Sequence, residues 1–107
     1  MILITTTDEI PGRQIESTIG LVRGTTVRAR HLLRDVTAVF KHVVGGEIPE
    51  YTKLVAETRE QAIDRMVSEA QRLGADAVVA FRFATSEVSK GASEVVAYGT
   101  AVKLRGV

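Results

Sequence analysis

The spacing of the apolar residues changes period twice along this chain, and that alternation limits the fold more than any other feature. From Arg13 to Arg30 the chain is rich in Ile, Val and Thr, and Ile15, Ile19, Leu21 and Val27 share odd-numbered parity, as one face of an extended strand requires. From His31 to Val44 the period becomes helical. Leu32, Val36, Val39 and Val43 recur at i, i+4, i+7 and i+11, with Leu33, Phe40 and Val44 widening the stripe. A second helix is predicted from Pro49 to Leu73, with Val55, Ala62, Met66, Ala70 and Leu73 on its central stripe and Ile63 and Val67 beside them. Strand character returns in Asp76–Ser86 and in Glu94–Leu104, joined by a hairpin loop at Ser89–Ser93. With a short strand at Ile2–Thr7 and a turn at Pro11-Gly12, the order reads β-β-α-α-β-β. That is the α+β class, in which strands flank a helix pair.

The glycines punctuate this pattern. Gly45-Gly46 and Gly74 fall just past the two helical stretches, where a residue with φ > 0 can close the last turn. Gly20 and Gly24 lie inside a strand-like stretch and predict a bulge or a close backbone approach.

At 107 residues and 11.6 kDa the chain has room for one hydrophobic core, so residues 1–107 are expected to form a single domain. The absence of cysteine excludes disulfides, thiolate metal sites and cysteine nucleophiles. Met1–Asp8 has no basic leader region, and no apolar run approaches the roughly 20 residues of a membrane span. A cytoplasmic location without membrane partners is therefore expected.

The last strand carries a clue to assembly. Val96, Tyr98, Thr100, Val102 and Leu104 occupy one face, while Val95, Ala97, Gly99 and Ala101 on the other are all small or apolar. A sheet with one wet face should alternate apolar with polar residues. The surplus predicts that Val95, Ala97, Gly99 and Ala101 meet a neighbouring copy in a homo-oligomer.

Candidate chemistry is sparse. His31 and His42 fall on the same side of the first predicted helix, with Asp35 between them. The two histidines stand roughly 16 Å apart at helical rise, so one ion can use both only if they come from different subunits. Two ligands also fall short of the four of a closed zinc site. Glu57, Glu60 and Asp64 follow i, i+3, i+7 spacing on the second helix, but Lys53, Arg65 and Arg72 share its polar face. A mixed, solvated surface is the simpler account. Nucleophile-elbow, zinc-protease, Walker and dinucleotide glycine motifs are all missing, so no enzyme is expected.

Charge is segregated although the chain carries only +1 overall. Arg23, Arg28, Arg30, Arg34 and Lys41 face a lone Asp35 between Arg23 and Gly46, whereas acids dominate from Glu47 to Asp76. A rim formed by Arg23, Arg28, Arg30 and Arg34 could hold an anionic partner such as nucleic acid. No aromatic accompanies those arginines in the sequence to stack a base, which disfavours nucleic acid. Complementary charge between subunits explains the split equally well.

Several blocks then appear in order: Gly20-Leu21-Val22-Arg23-Gly24, Arg34-Asp35, Val44-Gly45-Gly46, Leu73-Gly74-Ala75-Asp76-Ala77-Val78-Val79 and Gly99-Thr100-Ala101-Val102. With Tyr51, Leu54, Arg59, Ala62 and Ala70 they span nearly the whole chain, which resembles the YbjQ-like family of small bacterial proteins. The resemblance implies an α+β subunit that assembles into a homopentameric ring. It also implies a divalent heavy-metal ion as the one cofactor to consider. No ligand set comes with that label, so His31, Asp35 and His42 remain the candidates. The chain departs from the family pattern at Glu47-Ile48-Pro49 after the double glycine, and at Ala80, where glycine is common.

Overall fold

The computed structural model describes residues 2–29, 49–89 and 92–106. Its elements are β1 (Leu3–Ile4), β2 (Ile15–Ala29), α1 (Pro49–Arg72), β3 (Ala77–Ser89) and β4 (Ala92–Leu104). Among the described residues a single helix thus stands between two pairs of strands. The order is β-β-α-β-β and not the expected β-β-α-α-β-β, because the helix expected over His31–Val44 lies outside the described residues, as do Gly45 and Gly46. The strands form one sheet in the order β1-β3-β4-β2. β1 runs parallel to β3, while β3–β4 and β4–β2 are antiparallel.

Chemical stops set the ends of α1. Pro49 supplies a pre-set φ at the first turn, where its missing N–H costs nothing. At the other end Gly74 takes φ +76°, a conformation that penalises any side chain. The Gly74 N–H donates to the Gln71 carbonyl and the Ala75 N–H to the Ala70 carbonyl, each at 3.0 Å, the paired bonds of a Schellman turn. The turn is then tied to β4. The Asp76 carboxylate accepts the Leu104 N–H at 2.8 Å, and Lys103 Nζ donates to the Gly74 carbonyl at 3.2 Å.

α1 lies across β2 and β4 through small residues on both sides of the contact. Ala62, Met66 and Ala70 of α1 are fully buried against Val22, Ala97, Ala101 and Val78. Register places Gly24 beside Ala97, Val22 beside Gly99 and Thr26 beside Val95, so all of these share the face beneath the helix. A Cβ on Gly24 would fall inside the contact radii of the Ala62 carbonyl oxygen and the Met66 amide nitrogen, and only 2.8 Å from Arg65 Cβ. The helix backbone rests on the sheet backbone there.

Two expectations are corrected by this packing. The even face of β2 (Val22, Gly24, Thr26) is the buried one, while Leu21 at 65% and Val27 at 54% exposure point away from the helix. Close approach of α1 needs small side chains, so the bulkier odd-numbered residues turn outward. The proposed subunit contact through Val95, Ala97, Gly99 and Ala101 is corrected as well. Ala97, Gly99 and Ala101 are buried and Val95 half-buried within this chain, on the face that α1 covers, so α1 itself accounts for the small residues there.

Two irregularities shape the other face. Register shifts by one residue between Thr18 and Gly20, where Gly20 has φ +140°. A second shift lies between Val79 and Arg82, with Ala80 at φ +55°, a left-handed conformation that Cβ disfavours. The bulged backbone meets the chain after β1: the Ala80 N–H donates to the Thr7 carbonyl at 2.8 Å and the Phe81 N–H to the Thr5 carbonyl at 3.0 Å. The extra residue switches parity, so that Val79 and Arg82 both sit on the face away from α1. Low on that face Ala77, Val79, Val102 and Leu104 form a second small core capped by Ile10 and Ile15.

One buried polar atom is left over. Thr26 lies beneath α1 at 2% exposure, and its hydroxyl has no hydrogen-bond partner among the described residues. Removing an unsatisfied buried hydroxyl without changing shape should help. Thr26→Val is expected to raise stability by about 1 kcal/mol in urea denaturation. A loss of similar size would show that the hydroxyl does find a partner.

Candidate functional site

Titratable side chains offer little to build on. His31, Asp35 and His42 lie outside the described residues. On α1 the carboxylates Glu57, Glu60 and Asp64 are exposed, and Glu57 stands 4.0 Å from Lys53 in an i, i+4 pair. Among the described residues no group of three His, Cys, Asp or Glu is placed to hold a metal ion. Near the helix end, Glu69 accepts two hydrogen bonds from Arg72, at 2.6 and 3.1 Å. Those bonds hold the Glu69 carboxyl below its ordinary range and raise Arg72.

A cleft of about 450 Å³ opens at the base of the molecule, where Gly74 and Asp76 meet Ile2, Leu3, Arg13 and Leu104. Its carboxylate and its backbone amides serve the fold. Asp76 is spent on the Leu104 N–H and stands 3.9 Å from Lys103, and the backbone N–H groups of Gly74, Ala75 and Asp76 are all bonded.

The open features lie on the sheet. β2 is a terminal strand, so no described strand pairs with its outer side over Ile15–Ala29, although Arg65 of α1 donates to the Thr25 carbonyl. On the opposite side β1 covers only the beginning of β3, and among the described residues no strand pairs with the edge from Arg82 onward. Phe83, at 41% exposure, stands on that stretch in an edge-to-face contact with Phe81, ring centroids 5.0 Å apart. Arg23 pairs across β2 and β4 with Tyr98, and Tyr98 pairs across β4 and β3 with Arg82. The three side chains stand in one row on the face away from α1. Arg82 donates through Nη1 to the carbonyls of Thr6 at 2.9 Å and Phe81 at 2.7 Å. Arg23 has no hydrogen bond or ion pair among the described residues. The sequence gives no signal of this row, because its members lie on three strands and meet only through register. Of the arginines proposed as a basic rim, Arg23 is placed here and Arg28 pairs through its backbone with Ser93. Arg30 and Arg34 lie outside the described residues.

Known proteins account for this architecture. Residues 2–105 match the family described as "Putative heavy-metal-binding", the YbjQ-like family. The chain belongs to that family. Its relatives are archaeal as well as bacterial. A UPF0145 protein of Methanosarcina acetivorans is 53% identical over 102 residues, covering 95% of this chain and 96% of its own. Another from Methanococcus vannielii is 54% identical, covering 96% and 98%. A third from Thermotoga maritima is 48% identical, covering 98% and 99%. A crystal structure from Pediococcus pentosaceus, titled as a protein of unknown function in the DUF74 family, superposes with a TM-score of 0.61. It covers 96% of this chain and 97% of its own at 19% identity, which supports the α+β fold alone. The family is uncharacterised, so its membership names no reaction. No helix among the described residues is long and apolar enough to cross a membrane.

Proposed function

We propose that this member of the YbjQ-like family is a non-enzymatic, ring-forming homo-oligomer whose copies join along their sheet edges. The observation that supports it is the pair of edges without a strand partner among the described residues, β2 over Ile15–Ala29 on one side and β3 from Arg82 onward on the other. Bare edges of this length are a liability in a monomer, since each presents a row of unpaired N–H and C=O groups. Joining the β2 edge of one copy to the β3 edge of the next is a heterologous contact, and such contacts close into rings when the rotation allows. Five copies is the number that the resemblance implies. Exposed Leu21, Val27 and Phe83 lie on or beside these edges and supply the apolar area. The reading is non-enzymatic because the sequence carries none of the nucleophile or phosphate-loop motifs.

A divalent heavy-metal ion or other small ligand would sit where copies meet, with His31, Asp35 and His42 as the candidate ligands. Binding would then be one ion per joint or per ring, and would weaken as pH falls through the histidine range near about 6.5. Light scattering should return a mass five times that of the 11.6 kDa chain. A stable monomer at micromolar concentration rejects the ring. Calorimetric titration of Zn²⁺, Ni²⁺ and Cu²⁺ into wild type and a His31→Ala/His42→Ala double variant separates the metal from the assembly. Equal binding by both proteins removes the histidines, and no binding by either reduces the heavy-metal description to a name.

A further inference from the structure

We propose that the sheet face opposite α1 binds single-stranded nucleic acid, with Tyr98 as the stacking platform and Arg23 and Arg82 as phosphate contacts. The inference is independent of the ring. It rests on the row in which Arg23, Tyr98 and Arg82 are consecutive cross-strand partners. Direct cross-strand neighbours hold their Cβ atoms about 5 Å apart, which puts both arginines next to Tyr98 in the row, the Arg82 guanidinium turned to the Thr6 and Phe81 carbonyls. Tyr98 is half-buried, which fixes its base while its ring shares a face with exposed Leu21, Arg23 and Arg82. Single-strand binders need this pair of features, an aromatic on which a base can stack and cations that track the backbone.

Charge on this face selects an anion. Among the described residues Arg23 is unpaired and Arg82 is bonded only to carbonyl oxygens, so no described carboxylate neutralises either cation. The carboxylate on the same face of β4 is Glu94, in register with Val27 and Ser86, one same-face position beyond Val96. A second copy packed face to face would set these arginines against their own counterparts, which disfavours a two-fold contact. A duplex hides its bases from Tyr98. Single strands expose them to the ring of Tyr98. The ligand has no sequence preference to speak of, because one ring and two cations read no base edge.

Fluorescence anisotropy with labelled 20-mers of dT and rU, and with a duplex of equal length, tests the proposal. Wild type is expected to bind the single strands with Kd between about 10⁻⁶ and 10⁻⁴ M at low salt, and the duplex at least tenfold more weakly. Tyr98→Leu should weaken single-strand binding by roughly 5- to 100-fold, while Tyr98→Trp retains it. Arg23→Gln, an exposed change that leaves the fold intact, should reduce the log–log salt slope by about 0.7. Binding absent at about 10⁻⁴ M, or equal for duplex and single strand, overturns the proposal. So does a Tyr98→Leu protein that folds and binds as wild type does. Should Tyr98→Leu fail to fold, an unchanged salt slope in Arg23→Gln overturns it alone. Loss of the oligomer in either variant, read by light scattering, would assign this face to a second copy and reject nucleic acid.

Discussion

Gly24→Ala is expected to destabilise this protein by about 3 kcal/mol or more, an unusual cost for one methyl group. Small-to-large changes in a packed interior ordinarily cost about 1–3 kcal/mol, because flexible side chains move aside. Here the obstacles are the Ala62 carbonyl oxygen and the Met66 amide nitrogen, both backbone atoms in the middle of a 24-residue helix. They can move only if α1 lifts as a unit, which opens the contact of Ala62, Met66 and Ala70 with Val22, Ala97 and Ala101. The melting temperature read by circular dichroism should fall by about 10–20 °C, given the entropy of unfolding of a domain this size. Arg23→Ala, one residue away on the outer face, should leave stability within about 0.5 kcal/mol. If Gly24→Ala melts like Arg23→Ala, the helix does not rest on the sheet backbone and the account of this interface fails.

That contact also explains what could be read from the sequence and what could not. Chemical stops are local, so the limits of α1 were legible from Pro49 and Gly74, and the observed Pro49–Arg72 differs from expectation by one residue. Gly20 and Gly24 read as a bulge or a close approach, and each is one of the two. The buried face of β2 was not legible. Parity counts apolar residues and so favours Leu21 and Val27, whereas the helix comes so close that smallness decides, and Val22, Gly24 and Thr26 go inside. The same error made a subunit contact of Ala97, Gly99 and Ala101, whose small size suits an intrachain helix. The bulge at Ala80 carried no signal in composition, and only the family resemblance, in which glycine is common there, pointed at a backbone with φ +55°. Beyond it, Arg82 comes into line with Tyr98 and Arg23 only because the bulge switches the parity of β3. Positions so far apart in the chain meet by register alone. An aromatic that looked absent from the arginine-rich segment is therefore present beside Arg23.

Ala97→Glu should abolish folding outright or cost about 3–5 kcal/mol, and the reason differs from the glycine case. Ala97 is fully buried in the main core between Gly24 on β2 and Phe83 on β3. No cation lies among the buried residues of that core, which is built from Val22, Ala62, Met66, Ala70, Val78 and Ala101. An ionised carboxylate there would be unpaired in a low-dielectric interior, so it would either protonate or break the helix–sheet contact. Protonation gives the prediction a pH signature. Burial raises the pKa of the new carboxyl in the folded state above its unfolded value near about 4.3. Below that unfolded value the group is neutral in both states and the extra penalty is absent. As pH rises the unfolded chain ionises first, so the penalty grows until the folded-state pKa is passed. Ala97→Gln carries the bulk without the charge, and its stability deficit should stay flat over the same range. Urea denaturation of both variants at pH 4 and pH 7 separates charge from volume. Parallel deficits at the two pH values would mean that Ala97 reaches solvent, and that α1 does not seal this face of the sheet.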